Sequence, residues 1–350
     1  MFEEIVKKPA SWLAGDGTQS GIVLSSRIRL ARNISGCLFT SVADAQNRER
    51  VITFAKLAID KSPNLKKGTF LLWNELSELD KRLLMERHLI SPEFVRGNDS
   101  RALFVSDEEM VSIMINEEDH LRIQIIQSGL EIRDTCCIAD KIDDDLGQSL
   151  EFDFDADFGY LTSCPTNVGT GMRASILIHL PALVLIREME KVISQITKVG
   201  LTVRGFYGEG TDVLGNLFQI SNQTSLGRSE EDIIESLEKI TKQIIEYETN
   251  ARQTLFQDAK EEIEDKIWRA YGILKSARVL TSEEVMNLLS AIRLGLGMGT
   301  IDLLPLPLIN EILILSQPAH LQKYFNKDMN EDERDIMRAE LVRSKLANYN

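Results

Sequence analysis

Apolar residues recur at helical spacing over residues 44–61, with Asp44 placed to cap the first turn, and again over 76–88. The period then shortens. Residues 102–106, 111–116 and 121–127 are short, β-branched runs separated by polar turns, the pattern of an antiparallel meander. Helical spacing returns over 181–200, with Lys198 in the last turn and Gly200 where a C-cap belongs, and LTVRGF (201–206) follows as another strand. From Ser229 one nearly unbroken helical pattern runs to about residue 274, opened by a capping-box pair, Ser229 and Asp232. A second helix start at Thr281/Glu284 and a proline-punctuated loop at 305–307 divide the remainder into several helices. The pattern predicts mixed α+β character with an antiparallel meander over residues 1–250, giving way to a smaller all-α region over 251–350. No internal repeat or low-complexity tract interrupts it.

Composition refines this picture. With 43% hydrophobic and 27% charged residues in 350, the chain has ample material for a core. No apolar run approaches the ~18 residues of a membrane span, and the amino terminus lacks a signal-peptide stretch, so a cytoplasmic protein is expected. The cysteines Cys37, Cys136, Cys137 and Cys164 show no CxxC spacing for zinc, which agrees with a reducing compartment. A net charge of −14 argues against a nucleic-acid-coating protein. The acidity is greatest over 101–150, where 12 acidic residues face 4 basic ones.

Candidate chemistry sits in four segments. In Ser25-Ser26-Arg27-Ile28-Arg29-Leu30, Arg27 and Arg29 are two apart, so an extended strand points both guanidinium groups to one side. Such a fork suits phosphate oxygens, and equally a solvated edge strand. Glu117-Glu118-Asp119-His120 packs three carboxylates at a strand junction, a costly arrangement unless a cation, a metal or solvent relieves it. Cys164 precedes a small-residue loop with Arg173 nine positions on, which fits a buried structural thiol or a thiolate held near cations. The glycine-rich stretch 204–212 carries two acids, Glu209 and Asp212. Asp157-Phe158-Gly159 spells a kinase tripeptide, but the accompanying HRDxxxxN, glycine-rich loop and GxxxxGK[ST] signatures are missing.

Taken in order, SSRIRLARN, NEEDHLR, SCPTNVGTGMRAS and RGFYGEGTD followed by FQISNQ resemble the guanidino kinase (phosphagen kinase) family over roughly residues 20–245. The resemblance implies an antiparallel sheet ringed by helices and phosphotransfer from ATP, with Mg²⁺ held mainly by the ATP phosphates and no metal ligands of the protein's own. It implies an arginine cage of Arg27, Arg29, Arg122 and Arg173, with Ser25, Ser26 and Ile28 as neighbours and His88 on the adenine side. Further nucleotide-binding positions would be Ala174, Ser175, Ile176 and Leu177, then Arg204, Gly205, Phe206, Tyr207, Gly208 and Glu209. Glu118 matches the catalytic carboxylate and Cys164 the thiolate beside the guanidinium. Asp212 falls where small-molecule relatives carry a second substrate-binding glutamate.

The departures are informative. Small-guanidine kinases carry about a hundred residues of helical domain before the first motif, which here begins at Ser25. Tyr207 stands where they have a further phosphate-binding arginine, and Leu177 where they have a histidine. Near the carboxy terminus, Arg334-Asp335-Ile336-Met337-Arg338-Ala339 matches the RDxxRA motif of bacterial McsB-type protein arginine kinases. There Arg334, Asp335, Arg338 and Ala339 would form a phosphoarginine pocket; the spacing alone places Arg334 and Arg338 on one helix face. This resemblance implies protein substrates such as a CtsR-like repressor or misfolded proteins, a McsA-type activator, the ClpC/ClpP protease, a role in stress-response regulation, and a homodimer formed through the helical domain, with neither nucleic acid nor membrane as a direct partner. A kinase for free arginine and a non-catalytic phosphoarginine adaptor are the alternative readings.

Overall fold

The computed structural model describes residues 2–97, 100–205, 213–347 and 349. Its centre is an eight-stranded sheet of β1 (Val23–Arg32), β2 (Gly68–Leu72), β3 (Ala102–Ser106), β4 (Val111–Ile115), β5 (Leu121–Ser128), β8 (Met172–His179), β9 (Leu201–Gly205) and β10 (Leu217–Asn222). A separate two-stranded ribbon joins β6 (Phe154–Asp155) to β7 (Gly159–Tyr160). The order is β2-β3-β4-β5-β1-β8-β10-β9, antiparallel throughout, so the meander over residues 102–128 is present and β1 lies between β5 and β8.

Helices α1 (Phe2–Ile5), α2 (Ala45–Lys61), α3 (Glu78–Glu86), α4 (Pro92–Val95) and α5 (Ile132–Gly147) fall in the first half. They are followed by α6 (Pro181–Leu185), α7 (Met189–Lys198), α8 (Glu230–Asp258) and α9 (Lys260–Ser276), then α10 (Ser282–Met298), α11 (Leu306–Leu315), α12 (Pro318–Tyr324) and α13 (Glu331–Ala347). The caps read from sequence are in place. Asp44 accepts from Asn47 N, Ser229 and Asp232 close a reciprocal capping box, and Thr281 accepts from Glu284 N.

Strand alternation gives the sheet two unlike faces. On the back, Ile28, Leu30, Ile113, Ile123, Ile125, Ala174, Ile176 and Ile220 pack against apolar faces of α2, α5 and α8. Each fully buried side chain of that size contributes about 1.5–3 kcal/mol. Among the described residues, the front is covered only at its ends. Leu103, Val105 and Met114 meet Trp73, Leu84 and Phe94 near α3 and α4, while Leu24, Ile126, Leu177 and Leu217 meet the carboxy-terminal helices. Between these two covers lies the polar middle of β5, β1 and β8.

Three stretches differ from the periodicity reading. The 181–200 helix is broken into α6 and α7 at Arg187, which adopts φ +61°, so the buried face changes from Ala182 and Leu183 to Val192 and Ile196. The long pattern after Ser229 is divided at Ala259, whose φ of −142° and ψ of 38° leave the helical region. The expected proline loop lies slightly earlier, at 299–305: Pro305 occupies the N-cap position of α11 and Pro307 sits in its first turn, where a missing N–H costs nothing. Residue 250 falls within α8, whose buried Glu248 accepts from Ala182 N and Leu183 N and pairs with Arg252 at 2.8 Å.

Candidate active site

Register decides which side chains meet on the front face. Arg29 lies directly opposite Arg173 on β8 and Gln124 on β5, while Arg27 faces Ser175 and Ala31 faces Arg122. Strand residues two apart share a face, so Arg27, Arg29, Arg122 and Arg173 converge over three adjacent strands. Two unit charges 5 Å apart repel by about 3 kcal/mol at an effective dielectric of about 20. The consequences are visible in their titration. Burial, then Arg122 and Arg173, lower Arg27 to about 9. Burial, then Arg27, Arg122 and Arg173, take Arg29 well below the ordinary arginine value, with Glu117 opposing.

Arg122 differs from its neighbours. Burial opposes its charge, but Glu117, bonded to it at 2.5 Å, holds it above the usual range. Arg27 Nε donates to Ser175 Oγ at 3.4 Å and Arg173 Nη2 to Ser221 Oγ at 3.2 Å. Arg29 Nε is buried with no hydrogen-bond partner among the described residues. A buried donor left unmade beside three like charges fits an incoming polyanion.

A narrow pocket adjoins this cluster, lined by Trp12, Ser25, Arg27, His88, Ile126, Ser175, Leu177 and Gln219. His88 has φ +59° and stands edge-on to Trp12, with ring centroids 5.1 Å apart. Burial, then Arg27, lower its pKa to about 3, so its imidazole is neutral. The pocket is too small to enclose a base, but its apolar wall with a few convergent polar groups, beside a cationic cluster, is a surface against which a heterocyclic base next to phosphates can stack. Sequence reasoning missed Trp12 and, although the FQISNQ motif contains Gln219, gave that residue no role. Trp12 has no local periodicity to mark it, and Gln219 joins the front face only because it pairs with Leu177 and Arg204.

The three consecutive carboxylates have three different fates. Glu117 is buried between Arg122 and Ser91. Asp119 is also buried, accepting from Asn33 Nδ2 at 2.8 Å and from Ser163 N at 2.7 Å, which ties β1 to the Cys164 loop. Only Glu118 is exposed. Its pKa is raised by burial of its surroundings, then by Asp119, against the pull of Arg122. The nearby Cys164 thiol, which hydrogen-bonds Thr166 Oγ1 at 3.0 Å, favours the charged form of Glu118, and Asn167 Nδ2 lies 3.5 Å from Oε2. His120 is structural: Nδ1 accepts from Ile34 N at 2.9 Å, so Nε2 donates to Leu38 O at 2.8 Å, and burial lowers its pKa.

Other expected positions scatter. Ser25, Ser175 and Leu177 join the front face, and Arg204 opposes Gln219 beside them. Ser26, Ile28, Ala174 and Ile176 turn to the back, where Ser26 Oγ bonds Gly129 O and the others enter the core. Gly205 ends β9, while Phe206, Tyr207, Gly208, Glu209 and Asp212 lie outside the described residues. On α13, Arg334 Nη1 donates to Met329 O at 2.9 Å. Arg338 is buried, with Nε on Ser316 O at 2.7 Å and Nη1 on Leu280 O at 2.8 Å and on Asp335, while Ala339 is core.

Asn222 explains how Arg173 is held. Pairing between β10 and β8 ends at Ser221↔Ser175; beyond it the Asn222 amide stands in for a peptide, accepting from Ala174 N at 2.8 Å and donating to Met172 O at 3.0 Å. Both peptides flanking Arg173 are thereby fixed. Asn222→Ala is expected to cost about 1–3 kcal/mol by leaving the Ala174 N–H buried and unpaired, as read by urea denaturation.

The family described as ATP:guanido phosphotransferase, C-terminal catalytic domain, matches residues 50–251, and that described as Protein-arginine kinase McsB C-terminal domain matches residues 260–350. The protein-arginine kinases of Desulforamulus reducens and Pelotomaculum thermopropionicum are 45% and 46% identical over 349 residues, covering 99% of this chain and 98% of each relative. Among solved structures, lombricine kinase is similar at a TM-score of 0.59 and 26% identity, over 69% of this chain and 70% of that one. The duplicated taurocyamine kinase from Schistosoma mansoni shares the fold at a TM-score of 0.60 and 24% identity, over 70% of this chain and 35% of that one.

Proposed function

The chain belongs to the ATP:guanido phosphotransferase family, in its protein-arginine kinase branch, and from that premise we propose that the front-face arginines receive the ATP phosphates while Glu118 and Cys164 receive an arginine side chain of a protein. It is an ATP-dependent protein-arginine kinase. The observation that carries the residue assignment is the fate of the acidic run: of Glu117, Glu118 and Asp119, only Glu118 is open, and it sits against Cys164 within the field of Arg122.

Arginine is a poor nucleophile, because its charge is delocalised and its pKa exceeds ~12. Glu118 accepts a proton from the guanidinium as the nitrogen attacks the γ-phosphorus. One N–P bond forms, the bond from phosphorus to the ADP oxygen breaks, and the leaving electrons stay on ADP. Cys164 and Asp212 would grip the guanidinium from its other sides. Arg27, Arg29, Arg122 and Arg173 neutralise the charge that builds on the transferring group, already oriented before reaction. No group of three or more His, Cys, Asp or Glu among the described residues could hold a metal ion. Mg²⁺ bound to the phosphates would supply further charge neutralisation.

The finer assignments complete the proposal. Residues 1–250 act as the phosphotransferase unit, and 251–350 as a helical unit for homodimerisation and for phosphoarginine binding at Arg334, Asp335, Arg338 and Ala339. Cytoplasmic substrates such as a CtsR-like repressor, a McsA-type activator and hand-over to ClpC/ClpP in stress-response regulation follow from the branch. Among the described residues no helix is long and apolar enough to cross a membrane.

Incubation with MgATP and an arginine-rich protein is expected to leave acid-labile phosphate on the protein, as a P–N bond requires, and far less product on free arginine. Acid-stable label, or free arginine as the better acceptor, overturns the reading in favour of another acceptor group or of a small-guanidine kinase.

A further inference from the structure

The wall of the base pocket is held from the far end of the chain. Trp12 Nε1 donates to the carbonyl of Arg87 at 3.1 Å, and Arg87 immediately precedes His88. Arg87 itself is buried. Its guanidinium grips Glu109, donates to Lys8 O at 3.3 Å, and meets Nε2 of His320 on α12 at 3.3 Å. On its other side His320 Nδ1 lies 2.9 Å from Glu86, whose carboxylate also accepts Ala319 N at 2.8 Å and His320 N at 3.0 Å at the start of α12.

The partners define the tautomer. A carboxylate can only accept and a guanidinium can only donate, so neutral His320 carries its proton on Nδ1 and offers the Nε2 lone pair to Arg87. Burial favours that neutral form by lowering the His320 pKa. A second tie runs in parallel, since Asn310 of α11 donates to Leu13 O at 2.9 Å, beside Trp12.

Two physical arguments give this network a role beyond holding helices together. Burying Glu86, Arg87, Glu109 and His320 carries a desolvation cost that an apolar contact between α3 and α12 would avoid. What polar bonds add is direction. His88, a residue with a Cβ, is kept at φ +59°, a strained conformation that persists only where the surroundings over-determine it.

We propose that His320, on carboxy-terminal helix α12, is a positioning residue of the nucleotide site, acting through Arg87 to hold the Trp12–His88 wall where the base docks. This deepens the reading of that pocket as the nucleotide site and rests on it. The helical region after residue 260 is then a working part of nucleotide binding.

The experiment compares full-length wild type with His320→Ala, His320→Gln and Trp12→Phe. It measures KM for MgATP, KM for the protein acceptor and kcat, and also the Kd for ADP by calorimetry, which needs no acceptor. In His320→Ala, KM for MgATP and Kd for ADP are expected to rise by about three- to tenfold, the worth of one hydrogen bond. The kcat at saturating MgATP and the acceptor KM should hold. His320→Gln, which can again offer an acceptor to Arg87, should recover part of the loss. Trp12→Phe, which keeps a ring but removes the N–H to Arg87, should weaken ADP binding.

A folded His320→Ala with wild-type nucleotide affinity, or one whose kcat alone falls, overturns the proposal. If His320→Ala does not fold, His320→Gln and Trp12→Phe decide it: wild-type Kd for ADP in both refutes the role. The parent reading fails separately, through wild-type protein that binds no ADP.

Discussion

Glu118→Gln is expected to lower kcat by about 10²–10⁴-fold, or about 3–5 kcal/mol of barrier, while leaving the fold and the KM for MgATP near wild type. The side chain that loses its charge is the exposed one, so no buried partner is stranded. Its neighbours supply the contrast. Glu117→Gln breaks a buried pair with Arg122, and Asp119→Asn disturbs bonds to Asn33 and Ser163, so both should lose stability as well as rate. A base must be ionised to work, and the Glu118 pKa is raised by partial desolvation of its carboxyl and by Asp119. The acid limb of the pH–rate profile should therefore lie above the ordinary glutamate value, with rate falling as pH drops through it, and be absent in Glu118→Gln. Equal loss of kcat in Glu117→Gln and Glu118→Gln, with both folded, would remove Glu118 from its role.

Arg29→Met should have opposite effects on stability and activity. Arg29 is half-buried with its Nε fully enclosed, faces Arg173 across the strand pair, and is driven well below its usual pKa by desolvation and by three other arginines. Holding that charge is a cost to the folded protein. Methionine of similar length removes the charge and keeps the packing, so the nucleotide-free protein should gain about 1–3 kcal/mol, seen as a higher urea midpoint at unchanged m. Activity should fall by about 10²–10³-fold, the loss expected when one preorganised donor to a transition-state anion is removed. The stabilisation that ADP gives wild type should shrink in the variant. A variant that is both less stable and as active as wild type would show that Arg29 is an ordinary structural cation.

The same two residues show how far the chain could be read without its fold. Arg27 and Arg29 are visible as a co-directed pair because strand alternation is local. That Arg122 and Arg173 join them depends on pairings Ala31↔Arg122 and Arg29↔Arg173, which bring together residues more than ninety positions apart. Glu118 was singled out by likeness to a motif. Its separation from Glu117 and Asp119 follows from where Arg122, Ser91, Asn33 and Ser163 lie. Arg334 and Arg338 share a helix face as their spacing requires, yet Arg338 turns inward because the connection before α10 and the end of α11 present the carbonyls of Leu280 and Ser316 there.

Elements whose causes are local are legible in the chain alone. Asp44, Ser229 with Asp232, and Thr281 start helices because their side chains reach N–H groups two or three residues on, and period two marks the strands of the meander. The ordered motifs likewise carried the family. Three-dimensional packing was needed to bring Trp12 and His320 to the site, to give Gln219 and Asn222 of the FQISNQ motif their places there, to let prolines 305 and 307 open a helix, and to turn one acid of three outward. Those outcomes depend on which surfaces bury each other and on strand register, energies shared between segments up to three hundred residues apart that no local window of the chain contains.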